Sequence, residues 1–431
     1  MSGARPHDAG RPEGARDAGD PAVAPGVALP LRHNREFVLL QGGQLLSTLG
    51  SESTAIAYPL LVLALDGSPA QAGLVAFARL VPLALFGLPA GLAADRHDRR
   101  AVMLAADGVR ALAVAALGVA IALDRVVLWQ ILAAGFVEGA GSAFFRPAAA
   151  AALRAVVPTW QLPAAAGAQQ ARVAAVTIAG PPLGGALFGV GRAVPFVADA
   201  VSYVFSVVSL LLMRTPFQEA RPAGGVRLSA QVAEGIRFLW REPFIRTTTF
   251  LYGLTNFIGP GLLLVVMVVG RRQGLSSGAI GLLLALFGLG VLAGSLASPL
   301  FRRALSTRAI LLLELWTWTG SFLFVLRPDV FVLVVSILPC AIAIPVTDSV
   351  VIGHRLAITP DRLVGRVESV RSTLALLIAP LGPLAAGVLL GVVSARATVA
   401  VFAGLGLVLA LWGTLSPAIR AAPRLPARPA S

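Results

Sequence analysis

Apolar runs long enough to cross a bilayer recur from end to end of this chain, and they constrain its fold more than any other feature. A spanning helix needs about 20 mostly apolar residues. Candidate runs fall at 37–64, 70–93, 101–123, 126–148, 164–190, 193–213, 244–270, 278–301, 308–326, 329–353, 367–391 and 396–416. A backbone in hydrocarbon must satisfy its own hydrogen bonds, which leaves helices or a closed barrel. Barrel strands alternate apolar and polar residues, whereas runs such as Val201–Leu212 and Leu282–Val291 carry apolar residues on both faces. The expected fold is an all-α membrane protein of about twelve transmembrane helices. Composition agrees, since 13% of residues are charged against about 25% in ordinary soluble chains.

The formal net charge of +14 would suggest nucleic acid in a soluble protein. Here every cation is an arginine and most arginines stand between apolar runs, so the charge reads as topological and no nucleic-acid partner is expected. With both termini cytoplasmic, the inside connections hold Arg96, Arg99, Arg100, Arg146, Arg154, a group from Arg214 to Arg246, Arg302, Arg303, Arg308, Arg355, Arg362 and Arg366. The outside connections keep Arg125, Arg192, Arg327, Arg396 and one exceptional pair, Arg271–Arg272. That asymmetry favours an even number of spans with both ends inside.

Residues 1–35 are rich in Gly, Pro, Ala and charge and lack the apolar core of a signal peptide. They read as a disordered cytoplasmic tail, as do residues 417–431. Residues 36–213 and 244–416 each hold six runs, joined by a linker over 214–243. Within the linker, Leu228, Val232, Ile236 and Leu239 recur at helical spacing, which predicts an amphipathic helix on the cytoplasmic membrane surface. The halves read as a repeat. Gly91, Arg99 and Arg100 recur 203 residues later as Gly294, Arg302 and Arg303, and Gly180-Pro181-Pro182-Leu183-Gly184-Gly185 recurs 202 residues later as Gly382-Pro383-Leu384-Ala385-Ala386-Gly387. Repeated halves about a central site are a transporter architecture.

Two motifs carry more than packing information. In Gly91-Leu92-Ala93-Ala94-Asp95-Arg96-His97-Asp98-Arg99-Arg100, Gly91 permits close helix approach and Asp95 can accept from a helix N-terminus. The arginines can bridge to acids on adjacent helices, which makes the loop a candidate gate; charge alone favours the plainer reading, a positive-inside anchor. In the second, Pro181 and Pro182 free backbone groups while Gly180, Gly184 and Gly185 admit a neighbouring helix. The plain alternative there is a kinked packing helix.

The first motif resembles the loop signature G-x-L-A-D-R-x-G-R-R of the major facilitator superfamily, with Asp98 in place of the usual glycine. The second resembles the fifth-helix signature G-x-x-x-G-P-x-x-G-G of its drug/proton antiporters, with Val176 in place of the first glycine. Leu49-Gly50-Ser51-Glu52, Tyr58-Pro59-Leu60-Leu61-Val62, Asp66-Gly67-Ser68, Ala198–Tyr203, Glu234–Leu239 and Leu363–Val367 resemble the macrolide and siderophore exporters of that branch. One departure stands out: Gly135 and Glu138 occupy the arginine and glutamine positions of the fourth-helix pattern R-x-x-Q-G. The resemblance implies alternating access, export, and a central cavity walled by the first, fourth, seventh and tenth spans.

Those walls carry Glu52, Glu138, Asn256 and Asp348, with Asp199 and Arg79 as further cavity candidates. A carboxylate in hydrocarbon is rare and faces a cavity or a partner. Glu52 and Glu138 are therefore candidates for proton coupling; the competing reading pairs them with Arg79 or Arg172 as fixed bridges. Asp107 and Arg110, spaced i,i+3, read as a structural pair, Trp316 and Trp318 as lipid-facing or packing residues, and His354 as a surface residue. A lone cysteine, Cys340, the lack of a Gly-Lys-Ser/Thr phosphate loop and only four histidines leave no enzyme, metal or cofactor reading.

The expected function is export of small amphipathic molecules across the plasma membrane by a monomeric, proton-coupled antiporter, with the lipid bilayer as surroundings. A non-transporting sensor or assembly partner on the same fold, and an uptake or lipid transporter, are the alternatives. In a Cys340→Ser background, cysteines introduced at residues 96–100 or 228–241 should react with a membrane-impermeant maleimide only from the cytoplasmic side. Labelling from outside would overturn the topology.

Overall fold

The computed structural model describes residues 30–217 and 228–421. Residues 1–29, 218–227 and 422–431, on which part of the tail and linker expectations fall, lie outside the described residues. Among the described residues every regular element is a helix. The first half comprises Arg35–Ala64 (α1), Pro69–Arg96 (α2), Arg99–Ala122 (α3), Leu128–Val156 (α4), Leu162–Val190 (α5) and Val194–Leu212 (α6). Leu228–Arg241 (α7) lies in the linker. The second half begins with Pro243–Arg272 (α8) and Ser277–Ala304 (α9). Thr307–Thr317 (α10) runs through a 3-10 stretch, Trp318–Phe322, into Leu323–Leu326 (α11). Val330–Ile358 (α12), Asp361–Ile378 (α13), Leu381–Val392 (α14), Ala395–Leu415 (α15) and the short Pro417–Arg420 (α16) complete it.

Among the described residues, eleven segments are long and apolar enough to cross a membrane, counting α10–α11 and α13–α14 as one each. The other long helix, α1, has 30 residues, about 45 Å at 1.5 Å per residue. Gln41, Gln44, Ser47, Thr48, Ser51, Glu52, Ser53 and Thr54 dilute its apolarity. The helix ends follow local chemistry. Ser68 and Gln71 form a capping box before Pro69, and the hydroxyls of Ser276, Ser306 and Ser394 accept the backbone N–H three residues on. The α8–α9 turn passes through Gly274 at φ +82°, a conformation that glycine adopts without steric cost.

The repeat in the sequence appears as a repeat of contacts. A Cβ on Gly184 of α5 would strike the backbone of Ser53 on α1, and one on Gly382 of α14 would strike Phe257 O on α8. Gly185 faces Ser277 O of α9, and its counterpart Gly387 faces Pro69 O of α2. Each motif thus packs one glycine within its own half and another across to the opposite half. The cross-contacts involve the first residues of α2 and α9, so the halves meet at the end remote from the N-terminus of α1. Towards the other end, a Cβ on Gly91 or Gly87 of α2 would meet nothing within 4 Å.

The linker helix forms, but it is docked rather than merely lying alongside. Leu239 is buried in a cluster with Ile245, Leu363, Val367 and Val370. Glu234 pairs with Arg366 and, at 3.6 Å, with Arg362, both on α13. Ile236 and Trp240 remain exposed, which leaves an apolar edge on the same helix.

Overpacking a tight helix crossing costs about 1–3 kcal/mol. Gly184→Leu and Gly382→Leu should each lower the thermal midpoint and folded yield on size exclusion, whereas Gly87→Ala should match the parent. Equal behaviour of all three would refute the close-approach reading.

Candidate functional site

The polar residues of α1 decide where the site lies, because each must be met by a neighbouring helix or by a cavity. Arg172 of α5 donates to Gln41 Oε1 at 3.0 Å, Gln44 Oε1 at 2.9 Å and Thr48 Oγ1 at 3.1 Å. Asp199 of α6, fully buried, accepts from Thr54 Oγ1 at 3.0 Å and Ser202 Oγ at 3.2 Å. Arg110 of α3 donates to Ser51 Oγ at 3.0 Å and to Asp107 Oδ1 at 3.0 Å, and its guanidinium lies 4.1 Å from the Tyr203 ring centre. Tyr203 OH shares a 2.8 Å hydrogen bond with Ser51 Oγ.

Arg79 of α2 reaches the same turn of α1 from the other side. Its Nη2 donates to Ser51 O at 2.7 Å and to Glu138 Oε1 at 2.8 Å, while Nε donates to Glu138 Oε1 at 3.1 Å. Glu138 on α4 is 1% exposed, and its Oε2 has no hydrogen-bond partner. Gly135 and Gly139 make this pair feasible: a Cβ on Gly139 would strike Arg79 O, so α2 and α4 approach closely there. The cation beside position 138 therefore comes from α2, where the fourth-helix pattern would have supplied it from Gly135.

Glu52 is half-buried and makes no hydrogen bond or ion pair among the described residues. It stands at the junction of two cavities. One, of about 240 Å³, lies between the halves and is walled by apolar groups including Ile56, Pro181, Pro260, Leu263, Met267 and Phe287. The other, of about 150 Å³, is a polar annex inside the first half, lined by Thr48, Glu138, Ser142 and Arg146 among others. Glu52, Arg79 and Leu80 line both. Gly180 abuts the Glu52 side chain, since a Cβ there would strike Glu52 Cβ, and Pro181 lines the apolar chamber.

The remaining candidates lie elsewhere. Asp199 packs against α1 and lines neither cavity. Asn256 is exposed and donates to Tyr252 O at 2.8 Å. Asp348 borders a separate cavity of about 30 Å³ with Tyr252, Arg355 and Arg371. His354, expected at the surface, is 5% exposed, with its ring 4.2 Å from that of Phe244, because the start of α8 packs on the end of α12. Trp318 is buried and Trp316 exposed. In the α2–α3 loop, Arg99 donates to Phe217 O at 2.6 Å and Arg100 to Thr215 O at 3.0 Å. These bonds tie the loop to the start of the linker, where the chain leaves α6. Asp95 and Arg96 are exposed and make no such bond among the described residues. The double grip of Arg79 and Arg110 on Ser51 left no trace in the sequence beyond the i,i+3 spacing of Asp107 and Arg110. No group of three or more His, Cys, Asp or Glu suited to a metal occurs among the described residues.

Comparison with known proteins agrees with this architecture. The Major Facilitator Superfamily profile matches residues 42–314. Multidrug efflux pump Tap of Mycolicibacterium fortuitum is 27% identical over 399 residues, covering 88% of this chain and 94% of that protein. Macrolide efflux protein A of Streptococcus pyogenes is 26% identical over 182 residues, covering 42% of this chain and 45% of that one. Among solved structures, a bacterial homologue of the human lysosomal transporter Spinster, inward-facing and unoccupied, superposes with a TM-score of 0.72 at 18% identity, covering 93% of this chain and 100% of that one. A bacterial homologue of the iron transporter ferroportin, also inward-facing, gives 0.71 at 16% identity, covering 89% and 98%. The chain is a multi-pass transporter of the plasma membrane rather than an enzyme, and it belongs to the Major Facilitator Superfamily.

Proposed function

We propose that this transporter exports small amphipathic molecules by proton-coupled antiport, with α1 as a twelfth span and both termini cytoplasmic. The observation that carries the reading is Glu52: a carboxylate free of fixed protein partners among the described residues, at the junction of an apolar chamber and a polar annex. A group so placed can exchange a proton for a substrate's polar end as access alternates. The Glu138 carboxylate, paired with Arg79, holds that cation beside Glu52. Of the two coupling candidates, Glu52 takes the proton and Glu138 positions Arg79.

Several features support the direction and the cycle. The relatives carry efflux names. Gly180 of the antiporter-type motif abuts Glu52, and Gly185 of the same motif packs across to the second half. With both termini inside, the halves touch at the outer ends of α2, α5, α9 and α14, and the pictured state opens inward. Rocking the halves about these glycine contacts would bring the α2–α3 loop, with Gly91, Asp95, Arg96, Arg99 and Arg100, against the second half in the opposite state.

Expression in a pump-deleted bacterial host should raise tolerance to amphipathic antibiotics and dyes severalfold, and a protonophore should abolish the gain. Glu52→Gln, at equal protein level, should return tolerance to the empty-vector value. Full tolerance retained by Glu52→Gln would sink the coupling assignment.

A further inference from the structure

The annex carries information about substrate charge that the apolar chamber does not. Its charged lining consists of Glu52, Arg79, Arg110, Glu138 and Arg146. Arg79 is matched by Glu138, and Arg110 by Asp107 behind it. Two charges of opposite sign are left, Glu52 and Arg146, and neither makes a hydrogen bond or ion pair among the described residues. Arg146 follows Gly135 by eleven residues (146 − 135). Eleven residues complete about three helical turns, so Arg146 lies on the same face of α4, roughly 16 Å further along. Beside it, Ser142 and Thr48 add hydroxyls to the annex, while Glu52 opens onto the chamber as well.

Building on the export reading above, we infer that the cavity takes zwitterionic amphiphiles, with a carboxylate or similar acidic group on Arg146, a cationic group at Glu52, and the apolar body in the chamber. A purely cationic amphiphile matches Glu52 but competes there with Arg146, whose electrostatic counterpart Glu52 is, and leaves that guanidinium without one. A purely anionic one matches Arg146 but faces Glu52. Only a ligand with both charges answers both groups, and the planar guanidinium fork suits a carboxylate in a bidentate arrangement. A proton arriving on Glu52 cancels one end of that match, so it promotes release without disturbing the Arg79–Glu138 pair.

The test uses the purified full-length chain in detergent and fluorescence anisotropy. Two probes share one aromatic body: a rhodamine free acid, zwitterionic at neutral pH, and its ethyl ester, a cation. The parent should bind the acid roughly tenfold more tightly than the ester, the scale of one charge-assisted contact. Arg146→Gln should bring the acid to the level of the ester while leaving ester binding nearly unchanged. Arg146→Lys should restore part of the preference, which a merely misfolded Arg146→Gln would not predict. Equal binding of both probes by the parent, equal weakening of both by Arg146→Gln, or no binding of the acid would each overturn the inference. No proton gradient enters the measurement, so loss of the Glu52 coupling assignment in the growth assay would leave this result standing on its own.

Discussion

A polar side chain in hydrocarbon has no water to turn to, and α1 carries eight polar residues between Gln41 and Thr54. The first half is organised by that constraint. Arg172 from α5, Arg110 from α3, Asp199 and Tyr203 from α6, and Arg79 from α2 all converge on one helix. Burying such charges costs several kcal/mol each unless they are paired, which accounts for Glu138 and Asp107 standing behind Arg79 and Arg110. The residue of the stripe that no neighbour satisfies, Glu52, is the one turned to the cavity.

The two halves share a contact plan but divide the chemistry. Gly180 and Gly382, 202 residues apart, each pack within their own half, and Gly185 and Gly387 each pack across to the other. Yet the wall of the chamber contributed by the second half is Pro260, Leu263, Leu264, Met267, Leu284 and Phe287. Charge at the site therefore comes from the first half, whereas apolar surface comes from both. An amphipathic molecule lying between them would contact both, and a rocking motion that separated the halves would break one set of those contacts.

The halves also differ in rigidity of design. In the first, α5 continues unbroken through Pro181 and Pro182. In the second, the matching span is interrupted at Ala379–Pro380, between α13 and α14. The detached portion, α13, is held by Glu234 of the linker helix and by Arg355 of α12, which pairs with Glu368 at 2.6 Å. A segment secured by ion pairs along its first half can shift by exchanging partners, where a continuous packed helix must move as a whole.

The fold class was legible in the sequence because a bilayer admits few solutions for an apolar backbone: run length marked the spans, arginine placement the expected topology, and the displaced motifs the two halves. The polar character of α1 was equally visible, although it kept that helix from meeting the apolarity of the other eleven. Partner choice was not legible. Nothing in the order of residues joins Arg79 to Glu138 or Arg110 to Ser51, and Glu52 and Glu138 look alike as lone acids in apolar runs. Asp199 and Asp348 likewise read as cavity residues until helix rotation turned one into the α1–α6 contact and the other towards a separate pocket. Hydropathy records how much apolar surface a helix has. The direction each side chain faces depends on helix rotation and crossing, set by glycine contacts between segments hundreds of residues apart, and that only the tertiary structure decided.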